Sequence, residues 1–306
     1  MNKKVLIFIG SAIIFSLIIW GALIFRGPKE SNNDKVIVSA SIYPLVFVAE
    51  KVGGDRVQVN GIVPAGAEPH DYEPSARDLV NLVDSDVVVL NGRGLEPWAE
   101  IIEGDIDPEQ TKLIYVSDSL ETNRQGNNGE DDPHVWLNPN LLKEISDQVA
   151  TVLIAADPAG KEIYEKNLLE LKTELNVLNE EFILGLQDCG HRTFITSHAA
   201  FGYLADAYNL EQLAISGLEP DEEPSASKLA EITEYVKDKE INYIFFETLA
   251  SPKLAEVLAK ETNTATLVLN PLESLSREEE LAGLNYFSEM KNNLNNLRMA
   301  LDCKIN

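Results

Sequence analysis

Residues 157–187, DPAGKEIYEKNLLELKTELNVLNEEFILGLQ, break the rhythm of the chain around them. Leu168, Leu171, Leu175, Leu178, Phe182 and Leu186 recur at steps of 3, 4, 3, 4 and 4 with charged residues between them, the spacing of one apolar face of an α-helix. Asp157 and Pro158 stand where an N-cap and a first helical residue belong. At roughly 1.5 Å per residue the helix would run about 40 to 45 Å, more than one small lobe needs. It is therefore expected to be a strut that crosses two lobes.

On either side of the strut, short strand-like runs alternate with helix-like ones. VIVSAS (36–41), Val57–Val63, Val87–Leu90 and Lys112–Val116 are the strand candidates before it, with PLVFVAEKVGG (44–54) and Ser75–Val83 as helices between them. After Gly190 come RTFITS (192–197), Leu213–Ile215, YIFF (243–246) and TLVL (266–269), with helices near 225–238, 252–261 and 281–302. Alternation of this kind predicts an α/β fold with parallel-rich sheets. The expected organisation is an N-terminal α/β lobe at 35–156, the linking helix at 157–187 and a C-terminal α/β lobe at 188–306. The polar, Asn- and Gly-rich stretch 120–132 reads as a mobile loop, and no internal repeat is strong enough to use.

The 306 residues are 44% hydrophobic, enough to fill two ordinary cores. A formal charge of −25, from 50 acidic and 25 basic residues, opposes binding to nucleic acid, whose phosphates are held by Lys and Arg. The same charge concentrates cations near the surface, although a merely solvated acidic surface has the same composition. Near the start, Lys3 and Lys4 precede an uncharged apolar run from Val5 to Phe25, 21 residues long. That length suits a membrane-crossing helix better than the core of a cleaved signal. Residues 1–26 are thus expected to be an N-terminal membrane anchor or uncleaved signal, 27–34 a linker, and the remainder extracytoplasmic, in a periplasm or at a cell surface. No cysteine precedes Cys189, so a lipid on an N-terminal cysteine is not expected. Cys189 and Cys303 lie in the exported part, where they form either a disulfide or two buried thiols.

Only four histidines occur, and three of them stand where a strand or loop gives way to a new element: His70 in AEPHDYEP, His134 in DDPHVWLNP and His198 in TSHAAFGYL. Ligands in open α/β folds gather outside the carboxyl ends of the strands. A lone loop histidine is more often structural than a ligand, but three at equivalent points suggest a metal site. Pro69 and Pro133 restrict the backbone before two of them. HExxH, CxxC, GxSxG and P-loop signatures are missing, and no catalytic residue is assigned. With three histidines on a metal, a fourth position left to water permits catalysis, whereas a fourth protein ligand favours holding and transport. Glu247, after YIFF, and Glu273, in TLVLNPLESL, are the candidate acids. His191 reads as structural.

Taken together, PAGAEPHDYEPS, DPHVWLNP, RTFITSHAAFGYLA, IFFET and LNPLESL resemble the solute-binding proteins of ABC importers for zinc and manganese, the ZnuA/AdcA/TroA type, over about residues 35–303. The resemblance implies two α/β lobes joined by one long rigid helix, with one metal ion between them. It implies that His70, His134 and His198 are ligands, and the histidine at the third place resembles the zinc branch, where manganese-type members have glutamate. Members reading like LNPLES imply Glu273 as fourth ligand; others use an aspartate where this chain has Asn270. Glu247, and with it Asn270, are then candidates for supporting a ligand from behind. Three nitrogens and one carboxylate suit Zn2+ better than Mn2+. Many zinc-type members carry a histidine-rich acidic loop before the second ligand, but residues 117–132 here contain no histidine. The implied function is capture of one Zn2+ and its delivery to the permease of an ABC importer by a monomer. The alternatives are a manganese- or iron-binding member of the same family, a zinc hydrolase, and the cell-adhesion label that some relatives bear.

Overall fold

Val36–Ala40 (β1), Val57–Gly61 (β2), Val87–Leu90 (β3) and Lys112–Tyr115 (β4) form one parallel sheet in the order β2-β1-β3-β4. Tyr43–Gly53 (α1), Ala76–Val83 (α2) and Ala99–Glu103 (α3) connect its strands. The residues described in the computed structural model are 35–304, apart from 123, 127, 128 and 250. The expected membrane anchor and linker lie outside them. Among the described residues, no helix is long and apolar enough to cross a membrane.

A second parallel sheet repeats the same order with Thr193–Thr196 (β5), Glu211–Ala214 (β6), Tyr243–Phe246 (β7) and Ala265–Val268 (β8), arranged β6-β5-β7-β8. All eight strands coincide with the runs expected from the sequence, two of them residue for residue and the others with ends shifted by at most two residues. Their composition explains why. In β3, Val87 and Val89 face the main core while Val88 and Leu90 face a second cluster with Leu82, Trp98 and Ile102. In β7, Phe245 faces the main core and Ile244 packs with Ile232 and Leu258 on the other side. Strands covered on both faces need apolar residues at every position, which is the mark of a parallel sheet.

The strut is realised as Lys161–Leu186 (α5), 26 residues and so about 39 Å long. Asp157 does not cap it. A 3₁₀ turn, Pro158–Gly160, comes first, and Asp157 Oδ2 instead accepts from Arg56 Nε at 2.7 Å and from the Tyr164 hydroxyl at 2.8 Å. A helix not picked out from the sequence, Pro139–Ala156 (α4), packs along α5, so the connection is a helical hairpin rather than a lone rod. Its start has Asn138 as N-cap, accepting from Asn140 N–H at 2.9 Å, and Pro139 at the first position. One apolar cluster runs without a break from Leu45 and Val48 through Val149, Leu175 and Phe182 to Phe201, Tyr286 and Leu297.

Gly202–Ala207 (α6), Ala226–Asp238 (α7) and Lys253–Thr262 (α8) connect the strands of the second sheet. The helix expected near 281–302 is Tyr286–Ala300 (α10), and a short helix not expected from the sequence, Arg277–Leu281 (α9), precedes it. Gly283, at φ 74°, turns the chain between them, and Asn285 restarts the helix by accepting from Phe287 and Ser288 N–H at 3.0 and 3.2 Å. Beyond α10, Cys303 is joined to Cys189 by a disulfide that ties the end of the chain to the entrance of β5. Flanking backbone bonds, Gly190 N–H to Asp302 O at 3.1 Å and Lys304 N–H to Asp188 O at 2.9 Å, hold the same junction.

The cross-link spans a sequence separation of 114 residues, so reduction should lower the unfolding free energy by about 2 to 5 kcal/mol. Urea unfolding with and without reductant measures the difference. Free thiols in unreduced, denatured protein would contradict the pairing.

Candidate metal centre

Each candidate side chain sits on a loop that leaves the carboxyl end of a strand. His70 follows β2, His134 follows β4, His198 follows β5 and Glu273 follows β8, so the two sheets point their strand ends at one place. The loops are fastened across the cleft. Tyr43 N–H donates to Glu273 O at 3.1 Å, Gly66 N–H to Leu275 O at 2.9 Å, and Trp136 Nε1–H to Pro271 O at 2.7 Å. The Tyr286 hydroxyl closes the set by donating to Trp136 O at 2.7 Å.

His70, His134, His198 and Glu273 offer one donor atom each, all within 4.8 Å of one another. Glu273 Oε1 lies 3.1 Å from His134 Nε2 and 3.6 Å from both His70 Nε2 and His198 Nε2, and the Nε2 atoms of His70 and His134 are 3.3 Å apart. A tetrahedral ion with bonds of about 2.0 to 2.1 Å sets its ligands about 3.3 to 3.4 Å apart, so these separations are of the right size. His134 and His198 are fully buried, Glu273 is 1% exposed, and His70 alone keeps an edge toward solvent. Both oxygens of Glu273 and Nε2 of His198 have no hydrogen-bond partner among the described residues. Buried polar atoms are normally paired, and donors left this way converging on one point suit a cation.

Two carboxylates act from behind. Asp132 Oδ1 accepts from His134 N–H at 3.0 Å and meets His134 Nδ1 at 2.8 Å. Glu247 accepts from His198 N–H at 3.2 Å through Oε1, and its Oε2 lies 2.5 Å from His198 Nδ1. With Nδ1 committed in this way, Nε2 is the nitrogen that faces the centre. The His198 carbonyl is itself held by Thr196 Oγ1 and Gln212 Nε2, at 2.7 and 2.8 Å.

Asn270 is turned to its own backbone. Its Oδ1 accepts from Leu272 N–H at 2.8 Å, and its backbone is clasped by the Asn293 side chain at 2.8 and 2.7 Å. Leu272 is thereby held at φ 56°, a left-handed conformation that a leucine disfavours, and the turn so formed aims Glu273 at the histidines. His191 stands apart, with its N–H on Leu301 O.

The charges of the site support one another. Burial opposes charge on His134, but Asp132 and Glu273 outweigh it and raise its pKa. Burial likewise opposes charge on His198, and Glu247 with Glu273 carries its pKa well above the ordinary value. Burial would neutralise Glu273, yet the imidazoles of His134, His198 and His70 that face it hold its carboxyl well below the usual range. Burial, reinforced by the charge of Glu273, pushes the nearby Glu68 carboxyl up to about 8, and this side chain accepts from His70 N–H at 3.3 Å. Outside His70 opens a cavity of about 380 Å³ lined by Glu130, Asp131, Glu219 and Glu222 against the cation Arg93, a net negative approach to the centre.

Asp132 and Glu68 are not among the residues that the sequence points to as supports of a ligand. The signal for Asp132 is local: in DDPH the carboxylate stands two residues before its histidine, close enough to fold back on it. The two lobes also share a short repeat. Glu68-Pro-His-Asp-Tyr-Glu-Pro-Ser and Glu219-Pro-Asp-Glu-Glu-Pro-Ser occupy the same place in the two lobes, and each ends in the serine that caps the next helix, Ser75 for α2 and Ser225 for α7. The second copy is one residue shorter and lacks the histidine.

The family model described as zinc-uptake complex component A, periplasmic (ZnuA), matches residues 38–300. The chain belongs to the ZnuA family. Among curated members, it is 39% identical over 287 residues to the zinc-binding lipoprotein AdcA of Streptococcus pneumoniae, covering 90% of this chain and 57% of that protein. This chain therefore spans little more than half the length of the AdcA relatives it matches. It is 35% identical over 290 residues to the high-affinity zinc uptake system protein ZnuA of Bacillus subtilis, covering 90% of this chain and 91% of that one. The Zn(II)-bound ZnuA-like domain of S. pneumoniae AdcA superposes with a TM-score of 0.77 at 41% identity, over 88% of this chain and 99% of that domain. Relationship at this level carries the two-lobed α/β fold with it.

Raised pKa values on His134 and His198 mean that the metal-free site still holds protons as pH rises past the ordinary histidine value. Their contribution to metal-free stability is complete below about pH 6.5 and is lost as pH rises through the folded values. A cation must displace those protons, so its affinity should fall as pH falls. Titration calorimetry near pH 7.5 in buffers of different ionisation enthalpy should show proton release on binding. A binding heat independent of the buffer would contradict this.

Proposed function

We propose that this chain captures one Zn2+ outside the cytoplasm and hands it to the membrane permease of an ABC-type importer. The cargo ion is held by Nε2 of His70, His134 and His198 and by a carboxylate oxygen of Glu273. The observation that carries the proposal is the convergence of these four donors, three from buried and one from nearly buried side chains, all within 4.8 Å of one another, with Glu273 Oε1 3.1 to 3.6 Å from each imidazole. Three imidazoles and one carboxylate make a borderline donor set that matches zinc, whereas manganese favours more oxygens. Four protein donors complete a tetrahedron and leave no position for an attacking water, which suits a carrier rather than a hydrolase.

In this reading Asp132 and Glu247 set the tautomers of His134 and His198, and Glu68 braces His70 by accepting from its N–H. Residues 35–156 and 188–306 are the two lobes, and 157–187 is the strut that fixes their spacing. Residues 1–26 tether the chain to the membrane, and it works as a monomer. The acidic approach beside His70 raises the local cation concentration.

Elemental analysis after competition among Zn2+, Mn2+ and Cu2+ should find about one tightly held zinc per chain against manganese; copper is the stronger competitor on intrinsic affinity. The His70→Ala/His134→Ala double variant should retain none. Glu273→Ala, which lets water into the fourth position, should weaken binding less than the loss of either histidine. Unchanged zinc in the double variant would refute the site, and manganese outcompeting zinc would refute the cargo.

A further inference from the structure

Arg124 lies outside the donor cluster yet touches the support of His134 in one lobe and the helix that follows His198 in the other. Its Nε lies 3.2 Å from Asp132 Oδ2, and Asp132 is the 1%-exposed carboxylate whose other oxygen holds His134. Its Nη1 donates to Asp206 Oδ2 at 2.7 Å, on α6 of the second lobe. Its own carbonyl accepts from Asp132 N–H at 3.0 Å, beside an antiparallel bridge between Gln125 and Asp131. Main chain and side chain thus grip the same aspartate.

The guanidinium crosses to the second lobe over Gly202, where an added Cβ would overlap Nε, Cζ and Nη2 of Arg124. Gly202 opens α6, four residues after His198, and the missing side chain there is what lets the arginine pass. An ordinary surface ion pair would explain Asp206, which is 63% exposed. It would not explain a buried aspartate behind a ligand, nor a glycine hollow shaped for the arginine.

We infer that Arg124 is a positioning residue that couples the mount of His134 to the segment carrying His198, so that the captured cation leaves slowly. The inference rests on the capture function proposed above. Removing Arg124 leaves Asp132 Oδ2 buried without its cation and frees the two lobes from this link, while all four donors stay in place. Loss of such outer support typically weakens metal sites about 10- to 100-fold. The effect belongs in release, because the negative approach to the site is retained.

The test compares the full chain with Arg124→Ala, Gly202→Ala, their double variant, Arg124→Lys, and Lys291→Ala as a control on a remote surface pair with Glu181. Zinc release is followed by chelator chase and uptake by stopped flow. Arg124→Ala should raise the release rate about tenfold with uptake changed less than threefold. Gly202→Ala should do the same with every charge intact, the double variant should go no further, and Arg124→Lys should recover part of the loss. Exchange of the His134 amide in metal-free protein, which Asp132 restrains, should quicken in Arg124→Ala and not in Lys291→Ala. Release within twofold of the parent in both single variants, or losses that multiply in the double, would overturn the inference. If Gly202→Ala fails to fold by circular dichroism, Arg124→Gln replaces it, with the same tenfold expectation. If the parent itself retains no zinc, the cargo assignment fails, and the His134 amide alone decides on Arg124, an unchanged rate counting against it.

Discussion

A carboxylate buried to 1% exposure, Glu273, sits against three imidazole nitrogens drawn from both lobes. Taking a carboxylate out of water costs several kcal/mol, and an isolated one would simply hold its proton. Glu273 stays charged because histidines surround it, and two of those histidines hold their protons because Glu273, Asp132 and Glu247 surround them. Each group is tolerable only in the presence of the others. The remaining structure can be understood as what it takes to bring them together.

Parallel sheets supply the direction. With strand orders β2-β1-β3-β4 and β6-β5-β7-β8, every loop of consequence leaves a carboxyl strand end, and two sheets facing each other send those loops into one cleft. The α4–α5 hairpin and the apolar cluster continuous through it hold the sheets at a set distance. Backbone bonds from Tyr43 and Gly66 to the Glu273–Leu275 turn fasten the cleft from one side, and the bond from Trp136 Nε1 to Pro271 fastens it from the other. A strained Leu272, braced by Asn270, completes the aim.

Much of this was legible in the chain. Strands buried on both faces must be apolar throughout, so runs such as VVVL and YIFF announce themselves, and α5 carries a long period that nothing else imitates. The parts that escaped have physical reasons. The buried face of α4 includes Ser146 and Ala150, and these small or polar residues blur the apolar period that α5 shows clearly. The break between α9 and α10 depends on a glycine at positive φ and on an asparagine cap, both also common where a helix merely ends. The repeated Glu-Pro…Glu-Pro-Ser motif was obscured by a one-residue difference in length.

Residue types and their local order determined the lobes, the strut, the three histidines at strand ends, the carboxylate in LNPLES and membership of a zinc-uptake family. Those features follow from short-range rules: periodicity, caps, prolines before ligands, and the donor chemistry of imidazole and carboxylate. Only the tertiary structure decided which acids stand behind which histidines, that Asn270 shapes a turn, and how Arg124 and Gly202 meet across the lobes. Such pairings join residues tens to hundreds of positions apart. Their distances and burial exist only once both sheets are packed, and sequence spacing has no term for them.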